Sequence, residues 1–167
     1  MFLKSYAYGA STVPLLSETI GENLRNTVNR FAENDALICV HQNYKASYAD
    51  FWQQVEDVAK GFLAINVKKG DRVAIWSTNR FEWVLVQYAT ARIGAILVTI
   101  NPAYQSSELG YVLQQSGVNV LVSALSFKTN NYKKMIYEVW PLCDELKEVI
   151  FLDTEWQDFL IGGKSVT

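Results

Sequence analysis

The sequence predicts an α/β protein made of layered βαβ units around a mostly parallel sheet. Three observations carry that expectation. Short apolar runs rich in β-branched residues recur along the chain, stretches of helical period separate them, and glycine or proline punctuates the junctions. Helices of this length between strands imply crossover connections, which place successive strands parallel in one sheet.

Residues 1–20 read as an extended lead-in without periodicity, containing Pro14. "IGENLRNTVNRF" then sets Ile20, Leu24, Val28 and Phe31 on one helical face. "ALICVHQNYKASY" reads as a β-hairpin turning at Gln42 and Asn43. Ser47 with Asp50 three residues on resembles a capping box and starts a second helix. That helix is expected to bury Phe51, Val55, Val58, Ala59, Phe62 and Leu63, and to end near "NVKKGD".

The regular alternation follows. "RVAIW" is a strand and "FEWVLVQYATARI" a helix stopped by Gly94. "AILVTI" is a strand and "SSELGYVLQQS" a helix stopped by Gly117. "VNVLVS" is a strand, "YKKMIYEVWPL" a helix stopped by Pro141, and "LKEVIFLD" the closing strand. The helix from Phe81 is apolar nearly all round and is expected to be covered on two sides, with Trp83, Leu85 and Val86 buried. Residues 1–167 show no dividing linker and read as a single unit.

Bulk properties narrow the function. Half of the residues are hydrophobic and 13% are aromatic, which excludes wholesale disorder. Seventeen acids against fifteen bases leave no basic face, so no nucleic-acid partner is expected. The stretch from Trp83 to Ile100 approaches the length of a membrane span, but it carries Arg92 near its middle. That charge costs roughly 2.5–3.5 kcal/mol at a bilayer centre, so two soluble elements explain the stretch better than one transmembrane segment. Cys39 and Cys143 are far apart and outside metal-ligand spacings; Cys39, inside "ALICV", is expected to be a buried thiol. No signal-peptide run and no glycosylation sequon occur, so a reducing, cytoplasmic location is expected.

Candidate chemistry is sparse. His41 is the sole histidine, at the hairpin, with no nucleophile motif beside it. "GGKS" at Gly162–Ser165 lacks the earlier glycine of a phosphate loop, because Asp158 occupies that position. After "RVAIW", "STNRFE" contains no glycine, so a GxGxxG nucleotide turn is absent; Ser77 and Thr78 read as caps of the next helix. Asn101-Pro102 opens a loop, and Tyr104 reads as a packing residue. No paired carboxylates or metal-ligand cluster appear, so no catalytic, cofactor-binding or metal residue is assigned.

In order and spacing, Tyr48-Ala49-Asp50, Gly70-Asp71-Arg72-Val73, Gly94, Asn101-Pro102 and Glu108-Leu109 resemble the start of the adenylate-forming, AMP-binding acyl-CoA synthetase family. The opening "YGAS" and "SFKTNNYKKMI" are most similar to its medium- and long-chain fatty acid branch. The resemblance implies an incomplete N-terminal portion of the large synthetase domain, with an N-terminal helix and β-hairpin before the parallel sheet. Full-length family enzymes use ATP and Mg²⁺ to convert a fatty acid to an acyl-adenylate and then transfer the acyl group to CoA. Their phosphate loop, acidic adenine and Mg motifs, ribose-binding Asp, hinge and catalytic Lys match nothing in this sequence. The chain alone is therefore expected to be inactive and to hold no cofactor. Its expected partner is the remainder of a synthetase or a second copy of itself, with Trp76, Trp140 and Trp156 as candidates for exposure. The alternative is a non-catalytic α/β binding or self-association module derived from such a synthetase.

Overall fold

A computed structural model describes residues 9, 12, 13 and 15–166. Most of the expected lead-in, including "YGAS" from Tyr8 to Ser11 apart from Gly9, lies outside these residues. The first helix, α1, runs Ile20–Phe31 from a capping box between Thr19 and Glu22. Only part of its apolar face is covered: Leu24 is buried, while Ile20 and Phe31 are exposed. Strands β1 (Asp35–Cys39) and β2 (Tyr44–Ser47) form the hairpin. Its turn passes through a short 3-10 segment at Val40–Gln42 and a left-handed Asn43. The Ser47–Asp50 capping box is present, and it opens α2 (Tyr48–Ala64). Five of that helix's six expected core residues are buried; Leu63 is exposed because it faces away from the sheet layer.

The alternating region folds as β3 (Arg72–Trp76), α3 (Phe81–Ile93), β4 (Ile96–Thr99), α4 (Ser106–Ser116) and β5 (Val120–Ser123). A small hairpin follows, β6 (Ser126–Phe127) with β7 (Asn130–Asn131). Next come α5 (Tyr132–Val139), β8 (Glu148–Phe151) and α6 (Trp156–Gly163). β3, β4, β5 and β8 make one parallel sheet in the order β4-β3-β5-β8. Gly94 ends α3 at φ 74°, a left-handed conformation that releases the chain directly into β4.

Strand alternation assigns the two faces. Val73, Ile75, Val120, Val122 and Ile150 point into a core shared with α1, α2, α3 and α6. Ala74, Trp76, Leu121, Val149 and Phe151 point into a second core under α4 and α5. The result is a three-layer α/β/α arrangement, and it explains why these strands read as continuous apolar runs. α3 touches α1 and α2 as well as β3 and β4, so it is covered from two directions. Leu85 and Val86 are buried as expected, whereas Trp83 is only half-buried.

Other expectations are corrected. Trp76 and Trp156 are buried rather than exposed. Trp76 stacks on Tyr132 at 3.6 Å between ring centroids, and its indole donates to Asn101 O. Trp140 is half-buried, with its indole donating to Leu146 O. Cys39 is half-buried, because β1 lies outside the main layers and its thiol turns toward the hairpin turn. The helix expected to run to Pro141 stops at Val139 and tightens into a 3-10 turn, since proline cannot continue the α ladder. Arg92 sits in the last turn of α3, where it pairs with Glu56 of α2 at 2.6 Å. No helix among the described residues is long and apolar enough to cross a membrane.

The helix α6 was not anticipated. It lies across α2 so closely that a Cβ on Gly163 would sit 2.6 Å from the Gly61 nitrogen. A Cβ on Gly61 would meet the Phe159 ring at the same separation. Only glycine permits this crossing.

Candidate functional site

A doubly wound sheet places ligands outside the carboxyl ends of its strands, at the point where the strand order reverses. Here the chain leaves β3 for β4 on one side and returns to β5 on the other, so that point lies between the ends of β3 and β5. The residues that reach it are Ser77 to Arg80 after β3, Ala124 and Leu125 after β5, and Asp153 after β8.

These residues are tied to one another. Arg80 donates from Nε and Nη2 to the two oxygens of Glu82, each at 2.9 Å. Its Nη1 donates to Asp153 Oδ1, also at 2.9 Å. The other oxygen of Asp153 accepts the Leu125 N–H at 2.9 Å. From the hairpin, Gln42 donates to Glu82 Oε2 and accepts both the Phe81 N–H and the Cys39 thiol on its own Oε1. Burial disfavours the Glu82 charge, but the hydrogen bonds from Arg80 and Gln42 outweigh it and hold the carboxyl below its ordinary value. Arg80 follows the same logic in reverse. Burial works against its charge, yet the bonds to Glu82 and Asp153 raise its pKa.

The structure thereby reassigns the cap of α3. Ser77 is buried and donates to Thr78 O, and Arg80 is the N-cap residue without a side-chain cap. The first free N–H of α3 is satisfied instead by Gln42, 39 residues earlier in the chain. Nothing local in the sequence announces such a partner. A glutamine at a hairpin turn is an unremarkable residue until the fold delivers it.

The remaining candidates separate. His41 is exposed at the hairpin, its Nδ1 3.5 Å from the Cys39 sulfur. "GGKS" is the end of α6, with Gly163 committed to the helix crossing. Tyr104 packs against the second core beside Asn101 and Pro102, whose carbonyl oxygens take the Trp76 indole and the Tyr132 hydroxyl. Burial pushes the Tyr132 hydroxyl up to about 12, so it stays protonated and donating. Among the described residues no group of three or more His, Cys, Asp or Glu side chains converges as metal ligands. Chemically, the rim can bind and orient; it brings no nucleophile to a base.

Comparison with known proteins places this architecture. The profile of the family described as AMP-binding enzyme matches residues 24–164. Medium-chain acyl-CoA ligase ACSF2, mitochondrial, from Mus musculus is 42% identical over 137 residues, covering 82% of this chain and 22% of that protein. Its Homo sapiens counterpart is 40% identical with the same coverages. The chain thus spans about a fifth of the length of these curated relatives. Among solved structures, a long-chain-fatty-acid-CoA ligase (FadD1) from Archaeoglobus fulgidus superposes with a TM-score of 0.81 over 98% of this chain and 33% of its own, at 21% identity. The N-terminal domain of FACL13 from Mycobacterium tuberculosis gives 0.74 over 86% of this chain and 36% of its own, at 22% identity. At those identities the likeness shows the fold alone. The sequence profile shows more: this chain belongs to the AMP-binding enzyme family.

Proposed function

We propose that the chain is the N-terminal portion of an ATP-dependent fatty acid–CoA ligase and serves there as scaffold. In the full-length context the reaction is acid, ATP and CoA to acyl-CoA, AMP and pyrophosphate. ATP, Mg²⁺, CoA and a medium- or long-chain fatty acid are then handled by residues outside this sequence. The observation that carries this reading is the rim between β3 and β5. Its charged side chains are spent on one another and on backbone groups, and no loop there offers the row of N–H groups that a triphosphate needs. Taken alone, the chain is therefore non-catalytic. Calorimetry of the isolated chain with ATP and Mg²⁺ should register no binding heat; saturable binding at micromolar concentrations would overturn the reading.

A second reading, self-association, is favoured by the edge strand β4. Its outer side has no strand partner among the described residues, and Ile96 is 52% exposed. Open edges beside apolar residues promote association. Light scattering over a concentration series tests it, and a concentration-independent monomer would exclude it. Both cysteines are free thiols, which fits a reducing interior such as the cytoplasm; the ACSF2 relatives are described as mitochondrial.

A further inference from the structure

The point where the strand order reverses is not empty of ligand chemistry. It contains a carboxylate, and the carboxylate belongs to the protein. We propose that Arg80 and the Leu125 N–H form a carboxylate-binding cradle whose resident occupant is the side chain of Asp153, and that a small carboxylate from solution can take its place.

Four observations converge on this site. The two oxygens of Asp153 are divided between two different donors, the Arg80 Nη1 and the Leu125 N–H, each at 2.9 Å. A planar carboxylate held this way is in the geometry of a bound ligand, with one charged and one backbone donor. The donors do not depend on Asp153 for their position. Arg80 is gripped through its other two nitrogens by Glu82, and Glu82 is fixed in turn by Gln42. Leu125 N belongs to the segment that follows β5, whose Ala124 N–H is bonded to Trp76 O.

The occupant is the loosest member of the group. The Asp153 side chain is 39% exposed, against 16% for Arg80 and 6% for Glu82, and it sits in the turn after β8. When Asp153 swings toward water it leaves one guanidinium donor and one backbone N–H unpaired, and unpaired donors at a partly buried rim are costly. An incoming carboxylate removes that cost. Glu82 already offsets the charge of Arg80, so the cradle selects by shape and by two hydrogen bonds rather than by net charge. Binding is correspondingly weak, and the tethered Asp153 competes with it.

The test uses the whole chain, with acetate as probe and chloride at matched ionic strength as control. In Asp153→Ala, acetate should raise the melting temperature saturably and shift the Leu125 amide resonance. Asp153 competes intramolecularly with acetate, so its removal should strengthen the acetate response measurably over the unsubstituted protein. The double variant Arg80→Met with Asp153→Ala should lose the response. Equal effects of acetate and chloride on Asp153→Ala, or a response that survives loss of Arg80, would overturn the proposal and leave Asp153 an ordinary structural ion pair. Should Asp153→Ala fail to fold in chloride, refolding decides. Recovery in acetate alone supports the cradle, and recovery in neither refutes it.

Discussion

Two tetrapeptides of this chain are nearly the same word. β4 is Ile-Leu-Val-Thr at Ile96–Thr99 and β5 is Val-Leu-Val-Ser at Val120–Ser123. Every residue of β5 is buried, whereas β4 begins and ends exposed and is half-buried between. Composition does not separate them; neighbours do. β5 lies between β3 and β8 with helices over both faces, while β4 has β3 on one side and no strand on the other among the described residues. An apolar β-branched run therefore announces a strand in this fold without announcing its place in the sheet.

The comparison can be broken by substitution. Leu121 of β5 is fully buried in the core under α4 and α5, so Leu121→Ala should cost about 2–5 kcal/mol in chemical denaturation. Leu97, at the same place in the β4 tetrapeptide but on the opposite face of the sheet, is half-buried, and Leu97→Ala should cost distinctly less, about 1–2 kcal/mol. Equal losses at the two sites would mean that the edge of β4 is covered in solution, by a second copy or by other chain.

A titration sharpens the same contrast at the rim of the central strands. The folded Glu82 carboxyl lies below the ordinary 4.5, so its contribution is complete above that pH and is lost as the pH falls through the lower folded value. Glu82→Gln should flatten this part of the acid-unfolding curve, measured by circular dichroism below about pH 4.5. An unchanged acid limb would show that the pair with Arg80 contributes nothing net. The smallest expected effect on stability is Ile96→Lys, within roughly 0.5 kcal/mol because the side chain is exposed. If β4 mediates association, that variant should nonetheless lower the apparent mass in light scattering.

Much of the fold was legible because the signals are local. Gly94 and Gly117 stop helices at left-handed positions, Ser47 with Asp50 starts one, and continuous apolar runs mark the central strands buried on both faces. What escaped depends on distant partners. "WQDFLIGG" does carry Trp156, Phe159, Leu160 and Gly163 at helical spacing, but eight residues with two glycines fall below what propensity alone supports. It is the crossing on α2 that holds them. Aromatic load misled in the same way. Trp76 and Trp156 looked too many to hide until the two separate cores, one on each face of the sheet, supplied room for both. At the rim, Arg80 and Glu82 are sequence neighbours and could be paired on paper, whereas Gln42 and Asp153 reach them only through the tertiary fold.

The contact between Gly61 and Gly163 also has a temporal side. It joins segments separated by roughly a hundred residues, and closing so long a loop carries an entropic penalty that local turns avoid. α2 can nucleate early against α1, α3 and the hairpin, all of them near in sequence, but its remaining flank must wait for α6. A nascent chain leaving the ribosome would therefore carry Phe62 without its Phe159 neighbour until almost the whole present sequence has emerged. Replacing Gly163 with alanine should then speed unfolding while leaving the folding rate nearly untouched, the kinetic mark of a contact made after the barrier.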